Sequence, residues 1–390
     1  MNRSGKYLLS AGAGAAAAAF WFGVIKLPPP FATPSAMNPP RVIPRPAGAQ
    51  LHLPPGFHIE VYARGFEQPR YMTLGPRGEV LLADSSDAPN GAIYLLAPNA
   101  PPRKLLTGLN KPYGLAFHDG YLYVGQPTEI VRCRYDPAAP ALSRPETVVP
   151  MPGFNTDHWT RTITFSPDGA KMYVAVGSGS NDSPGGPPER AAVNRYNPDG
   201  SGHEIFASGL RNPVGLRFYP GTNTLWASVE ERDTFGDDLV PDFFTHLEQG
   251  GFYGWPYAYI GPHPDPLNGS QRPDLVRTTI TPDVVFEPAH VALLDFIFYT
   301  GVRFPAEYRG GAFVAEHGSW NRSKRVGYAV AFVPFSKGKP SGPPRDFITG
   351  WMLSPESKDV WGRPVGLLQL PDGSLLVSDD GAKVVWHVTY

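Results

Sequence analysis

The chain has 390 residues, with 34 Lys plus Arg against 35 Asp plus Glu and a formal charge of −1, so it holds no excess of cations for a nucleic-acid backbone. Gly (43) and Pro (46) make up nearly a quarter of it, beside 42% hydrophobic and 12% aromatic residues; this excludes a helix bundle and a disordered chain and fits a turn-rich β protein. One cysteine, Cys133, excludes an intramolecular disulfide framework and a Cys-rich metal site.

The first element in chain order is a targeting or anchoring segment. Arg3 and Lys6 precede the uncharged run Tyr7 to Ile25, in which Ala15 to Ala19 lead into Phe20-Trp21-Phe22, a basic region followed by an apolar one. The run approaches the ~20 residues that cross a bilayer, and Lys26-Leu27-Pro28-Pro29-Pro30 follows it without a small-x-small cleavage site. Residues 1–26 therefore read as a signal peptide or a membrane anchor. Either places the protein in the periplasm or otherwise outside the cytoplasm, the anchor holding it to the inner membrane through residues 7–25. The Pro-rich residues 27–50 read as a linker with little reason to pack, and residues 51–390 as the folded domain.

From Tyr71 onward one hairpin recurs: an apolar strand, a tight turn, and a second apolar strand ending in small or acidic residues. Its copies span residues 71–84, 114–125, 163–177, 215–230, 301–316 and 366–379. The clearest turns are Ser166-Pro167-Asp168-Gly169 and Leu370-Pro371-Asp372-Gly373, where Pro presets φ and Gly supplies a positive φ. Successive copies start 43, 49, 52, 86 and 65 residues apart, mostly the ~40 to 50 of a four-stranded blade. The expected fold is all-β, a six-bladed β-propeller, with an insertion in the 86-residue unit at 243–290. A β-sandwich would also use short strands and regular turns, but six similar hairpins favour radial repetition.

The segments flanking each hairpin should meet at one mouth of a central channel. Those before the first strands read Gln68-Pro69-Arg70, Lys111-Pro112-Tyr113, Asp157-His158-Trp159-Thr160-Arg161, Arg211-Asn212-Pro213, Phe298-Tyr299-Thr300 and Trp361-Gly362-Arg363-Pro364. Those after the second strands include Glu231-Arg232-Asp233, His317-Gly318-Ser319-Trp320-Asn321-Arg322 and Asp380-Gly381. A ring of guanidinium forks suits a multiply anionic ligand, although each Arg could equally pair with a neighbouring Asp. His158 is the natural general base, titrating nearest neutral pH, unless Asp157-His158 is only a hydrogen-bonded turn. Glu230, Glu231, Asp233, Asp237 and Asp238 are either a solvated acidic loop or a hard-cation site. No His-Glu-x-x-His, Gly-x-Ser-x-Gly or phosphate-cradling loop occurs.

From about Leu53 to the C-terminus the sequence resembles the soluble quinoprotein glucose dehydrogenases and, more closely, their L-sorbosone dehydrogenase-like branch. The stretches that carry this are Asp157-His158, Gly209-Leu210-Arg211-Asn212-Pro213-Val214-Gly215, Gly236-Asp237-Asp238, Tyr253-Gly254-Trp255-Pro256, Ala315 to Arg322 and Trp361 to Val365. The resemblance implies a six-bladed propeller that binds pyrroloquinoline quinone (PQQ) and Ca²⁺ and oxidises a sugar or sugar aldehyde. It implies His158 as the base that takes the substrate hydroxyl proton while hydride passes to the quinone, and Arg211 as the cation that stabilises charge on the quinone oxygen. Asn212, Arg363, His317, Trp320 and Arg322 then bind cofactor, Glu231 and Arg232 offer backbone carbonyls to Ca²⁺, and Asp238 supports the metal. A quinone or cytochrome would accept the electrons. The chain departs from the glucose enzymes where they have Gly-Gly-Arg after Asp-His, here Trp159-Thr160-Arg161, and where their Gly-Pro is Glu231-Arg232. The second cofactor Arg of the family is Trp361 here, and Arg322 or Lys324 would stand for its blade-five lysine. Two other readings are a metal-dependent lactonase, which needs carboxylate and Asn ligands converging on the channel, and a propeller that binds a glycan or protein without chemistry.

Overall fold

The computed structural model describes residues 26–98, 100–154 and 157–390. The expected signal or anchor run lies outside these, and among the described residues no helix is long and apolar enough to cross a membrane. Six antiparallel sheets form the blades, and each innermost strand packs beside the innermost strands of both neighbouring blades, so the ring closes. The inner hairpins are Pro69–Leu74 with Val80–Asp84, Leu115–His118 with Tyr121–Gln126, Ile163–Phe165 with Met172–Val176, Asn212–Phe218 with Leu225–Glu230, Leu293–Phe298 with Ala312–Glu316, and Pro364–Gln369 with Leu375–Asp379. His58–Arg64, from the other end of the chain, pairs with Val384–Thr389 as the outer strand of blade six.

The second strand of a blade is apolar without alternation because both its faces are covered by neighbouring blades; Val80–Asp84, Met172–Val176 and Leu375–Asp379 are buried throughout. Innermost strands approach so closely that a side chain is excluded at specific points. A Cβ on Gly114 or Gly125 would meet the Arg161 carbonyl oxygen, and one on Gly366 the Arg70 carbonyl oxygen. In blades four and six the same device recurs: the Gly215 and Gly366 amides donate to Ser228 Oγ and Ser378 Oγ, which donate in turn to the Leu294 and Arg70 carbonyls of the next blade.

Five of the six hairpins lie where the repeat places them. In blade five the first strand is Leu293–Phe298, and Gly301 onward is a connection carrying the short 3₁₀ turn Ala306–Tyr308. Phe298-Tyr299-Thr300 therefore ends and follows that strand, away from the mouth, where Tyr299 Oη donates to the Gly373 carbonyl at the Pro-Asp-Gly turn of blade six. The mouth segment of blade five is His290-Val291-Ala292. The insertion is narrower than 243–290. Phe243–Leu247 and Val284–Val285 are outer strands of blade four, while between them the chain adds Gly251–Phe252 to the edge of blade three, turns through Ala258–Tyr259 and His263–Pro264, and forms the helix Pro273–Thr278.

Residues 27–50, expected to pack little, are docked on the propeller. The Phe31 amide donates to the Phe235 carbonyl at 2.7 Å, and Ser35 Oγ and Thr33 Oγ1 accept the Gly236 and Asp237 amides at 3.0 and 2.8 Å. Met37 bridges to Asn321, and Arg41–Val42 pairs in parallel with Asp359–Val360. This strap ties together loops of blades four, five and six.

Candidate active site

The mouth segments enclose two adjoining cavities of about 210 Å³ each, which share His158, Glu230 and His317 as walls. Val214 and Leu294 line the inner one, and below them Tyr71, Tyr113 and the Arg217–Asp295 pair (2.9 Å) fill the channel, so the cavities lie above a closed floor. Asp295 is fully buried and also accepts the Leu367 amide, which ties that floor to blade six.

His158 follows Asp157, a residue at φ +45°, and its loop is tied down by Arg161, whose guanidinium donates to the carbonyls of Phe154, His158 and Thr160. Gly177 lets the ring sit close, since a Cβ there would meet the His158 Cβ. Nδ1 lies 3.0 Å from both the Ser178 carbonyl, which can only accept, and Ser178 Oγ, whose own proton goes to the Ser180 carbonyl, so Nδ1 carries the proton and Nε2 the lone pair. Burial first and the Arg211 charge second push the imidazole down to about 3, so it is neutral over the physiological range.

Arg211 is held by four hydrogen bonds: Nη1 donates to the Glu231 carbonyl (2.7 Å), Nη2 to Asp233 (3.1 Å) and to Asn181 Oδ1 (2.9 Å), and Nε to the Asn181 carbonyl (3.1 Å). Asn212 Nδ2 donates to Glu230, leaving Asn212 Oδ1 buried without a partner. On the opposite wall His317 Nε2 meets Asp380 at 3.0 Å, and Asp380 also pairs with Arg70. Burial and then the Arg363 charge push His317 down to about 4, while Arg70 and His317 hold Asp380 well below the usual carboxylate range. Arg363 donates to the His317 and Gly318 carbonyls, and Trp320, 38% exposed, stands at the rim.

Of the residues expected at the site, the structure brings together His158, Arg211, Asn212, Glu231, His317, Trp320 and Arg363 around the cavities. Asp238 and Arg322 lie elsewhere, and Arg232 is expected to offer its backbone carbonyl rather than its side chain. The Arg232 side chain turns outward into the insertion, donating to the Ala258 carbonyl and lying 3.4 Å from Asp265. Asp238 and Arg322 pair with each other at 2.8 Å under the strap. Glu230, Asp233 and Arg70 line the cavities, and Asp380 stands behind His317, in segments that the sequence places at the mouth. Asp242 and His290 were missed outright. Asp242 accepts the Glu231 and Ala292 amides, joining blade four to blade five, and burial pushes its carboxyl well up. The signal for His290 was available only through the correct start of blade five.

Among the described residues no three His, Cys, Asp or Glu side chains are grouped to hold a metal ion. An ion here would rest on backbone carbonyls, such as that of Glu231, and on oxygens brought by a ligand.

A TrAA12-like family model matches residues 51–240 and 272–390. A Borreliella burgdorferi protein described only as uncharacterized is 30% identical over 354 residues, covering 87% of this chain and 91% of its own. The pyrroloquinoline quinone-dependent pyranose dehydrogenase of Coprinopsis cinerea is 24% identical over 87% of this chain, which spans only about half, 54%, of that enzyme. The PQQ domain of a Coprinopsis cinerea pyranose dehydrogenase in holo form superposes with a TM-score of 0.71 at 22% identity, over 89% of this chain and 98% of that domain. The iodide structure of the Trichoderma reesei family AA12 enzyme gives 0.74 at 22% identity, over 90% and 98%. The matched residues carry both the ring of blades and the mouth loops with His158, Arg211 and Arg363, so the chain belongs to the TrAA12-like family.

Proposed function

We propose that the protein is a PQQ- and Ca²⁺-dependent oxidoreductase that oxidises a sugar or sugar aldehyde, with His158 as the general base. The observation that carries this reading is His158 itself, neutral, fixed in one tautomer by Ser178, and lining a closed-floored cavity ringed by Arg70, Arg211 and Arg363. The walls fit a carboxylate-rich cofactor with a cation. Arg70 Nε, Asn212 Oδ1 and Glu231 Oε1 are buried without partners, as expected of a lining built around a polar ligand. Two of the arginines already pair with Asp233 and Asp380, so a hard cation would offset the further anionic charge of a carboxylate-rich ligand. When bound, PQQ supplies the two-electron acceptor and Ca²⁺ the Lewis acid that polarises it.

The chain's own residues do the rest. Arg363 and Arg70 offer donors to carboxylates, and Arg211, locked by Asn181 and Asp233, presents a fixed positive charge. His158 Nε2 accepts the proton of the substrate hydroxyl at the carbon being oxidised. Anionic charge brought into the cavity offsets the arginine field and raises the affinity of His158 for that proton towards its working range. Trp159, held by Tyr113 and lying under Arg70 and Lys111, narrows the inner cavity, which favours a substrate smaller or flatter than a glucose ring. The lactonase alternative needs carboxylate and Asn side chains converging on one ion, and among the described residues no three His, Cys, Asp or Glu side chains are so grouped. The same reading includes export by residues 1–26 and delivery of electrons to a quinone or cytochrome.

Reconstituting the purified protein with PQQ, with and without Ca²⁺, and following dye reduction over a panel of sugars tests the proposal. Turnover should need both additions, and chelation should release PQQ. Equal PQQ affinity with and without Ca²⁺ would remove the metal, and no PQQ binding in either condition would remove the oxidoreductase.

A further inference from the structure

A second cavity, of about 760 Å³, lies away from the channel, between the edge of blade four and the flank of blade five, covered by residues 48–52. Its walls include Phe286, Val291, Tyr328 and Met352 on the apolar side and Glu316 and Asp346 on the acidic side. Glu316 ends the second strand of blade five and is only 8% exposed, yet its carboxylate has neither a hydrogen bond nor an ion pair among the described residues. A carboxylate so placed has only what enters the cavity to solvate or pair it as an ion. Such groups are otherwise paired.

The cations that share this cavity are spent elsewhere. Arg325 donates to the carbonyls of Ser357, Ser319 and Pro39, to Tyr328 Oη and to Asn38 Oδ1. Arg345 lies over Tyr308 and Phe332 and 3.9 Å from Glu307. Tyr328 Oη donates to the Ser319 carbonyl, and Glu287 and His52 are exposed at the opening. The charge that does act on Glu316 is that of Asp346, of the same sign. Two carboxyl groups thus line a roomy, partly aromatic cavity, and neither forms an ion pair with the arginines that also line it.

We propose that this cavity binds a small organic ammonium ion, its charged end on Glu316 and Asp346 and its carbon body against Phe286, Val291 and Tyr328. A bare metal ion fits less well, because no third His, Cys, Asp or Glu among the described residues joins the two and the volume far exceeds one ion. The site is independent of the channel, so it stands or falls apart from the proposed oxidation. Binding couples to a proton. Burial first and Asp346 second push the Glu316 carboxyl up to about 8, so the acid is largely protonated below that pH and must lose its proton to receive a cation.

The test uses the full chain and 1,4-diaminobutane as the probe, titrated by calorimetry and by thermal melting at about pH 8.5 and about pH 6.5, where the amines stay charged. Wild type should bind at pH 8.5 with a raised melting temperature, and its affinity should fall at least about tenfold at pH 6.5. Glu316→Gln should fold normally, since it removes a buried charge, and lose both the binding and its pH dependence. Asp346→Asn, at an exposed position, should weaken binding several-fold. Equal binding by wild type and Glu316→Gln, or no binding by wild type at about 10 mM probe, overturns the proposal. So does CaCl₂ that binds in a Glu316-dependent manner more tightly than the diamine, which would make this an inorganic cation site.

Discussion

At the scale of single residues, the two cavity histidines differ in what they can do. His158 has its proton fixed on Nδ1 by Ser178 and a free Nε2, whereas His317 donates Nε2–H to Asp380 and has no lone pair to offer from that nitrogen. His158→Ala is expected to keep the fold and most of the cofactor affinity and to lose ~10² to 10⁴ in turnover, as for removal of a general base. Arg363→Ala should do the reverse, weakening PQQ binding while turnover at saturating cofactor stays close to wild type. Rates, melting temperatures and PQQ affinities of the two variants check this; a His158→Ala enzyme with more than about a tenth of wild-type turnover would end the base assignment.

Both imidazoles also set the acid side of the stability profile. Unfolded, they take up protons near pH 6.5; folded, His158 does so only near 3 and His317 near 4. The unfolded state therefore binds more protons in that window, and stability is lost as pH falls from about 6.5 to 4, by up to about 1.4 kcal/mol per pH unit for each group. Asp379 opposes part of this. Burial pushes it up to about 6, so its contribution is present at low pH and lost as pH rises through 6. Melting the cofactor-free protein at intervals of pH should show a shallower acid slope for His158→Ala than for wild type, and an identical slope would show that His158 is not neutral in the folded state.

At the scale of elements, the hairpin repeat made most of the site legible, because Pro-Asp-Gly turns and apolar strands mark the blades independently of tertiary contacts. Blade five escaped it. Its turn is replaced by a connection with the 3₁₀ segment Ala306–Tyr308, and Gly301, which resembles the glycines that open the other inner strands, serves a close approach to Tyr299 and Gly373 at the far end of the channel. That one misplaced start hid His290. The direction of the Arg232 side chain was equally unreadable, since it depends on the Ala258 carbonyl and Asp265 in an insertion whose path no local pattern specifies. The strap was missed for a different reason: Pro-rich composition suggests an extended chain but does not say whether another surface satisfies its backbone. Here Thr33, Ser35 and the Ala36 carbonyl bond to Gly236, Asp237 and Asn321, and Asn321 Oδ1 in turn holds the Thr234 amide next to Asp233. A chain beginning at Leu51 should still form the propeller, because its blades and closure lie beyond that point, but it should melt lower than one beginning at Lys26 and bind PQQ more weakly in Ca²⁺. Calorimetric melting and PQQ titration of the two compare them directly, and identical values would show that the strap does not brace the Asp233 loop.

At the scale of the whole molecule, the ring is held shut by the strand His58–Arg64 lying against Val384–Thr389, a pairing between opposite ends of the folded chain. That pairing holds blade six in place between its neighbours, where Asp380 meets Arg70 of blade one and His317 of blade five, and Arg363 donates to the His317 carbonyl. Such a contact closes a loop of more than 300 residues, so its entropic cost falls on the unfolded state and a cross-link there should stabilise strongly. Glu60 and His387 are directly opposed in the register and lie outside the packed core, so Glu60→Cys/His387→Cys places a disulfide there at the loss of the His387 contacts with Glu60, Ser374 and Tyr62. Cys133 should not interfere, being buried with its thiol pushed up to about 12 by desolvation. The oxidised double variant should melt well above its reduced form, with at most about 5 kcal/mol of added stability, and the gain should vanish on adding reductant. PQQ affinity should be the same in both forms, because the seam already sits in its closed register. A tighter affinity on oxidation would mean that the blades part at this seam in the free protein, and that cofactor binding and ring closure are one event.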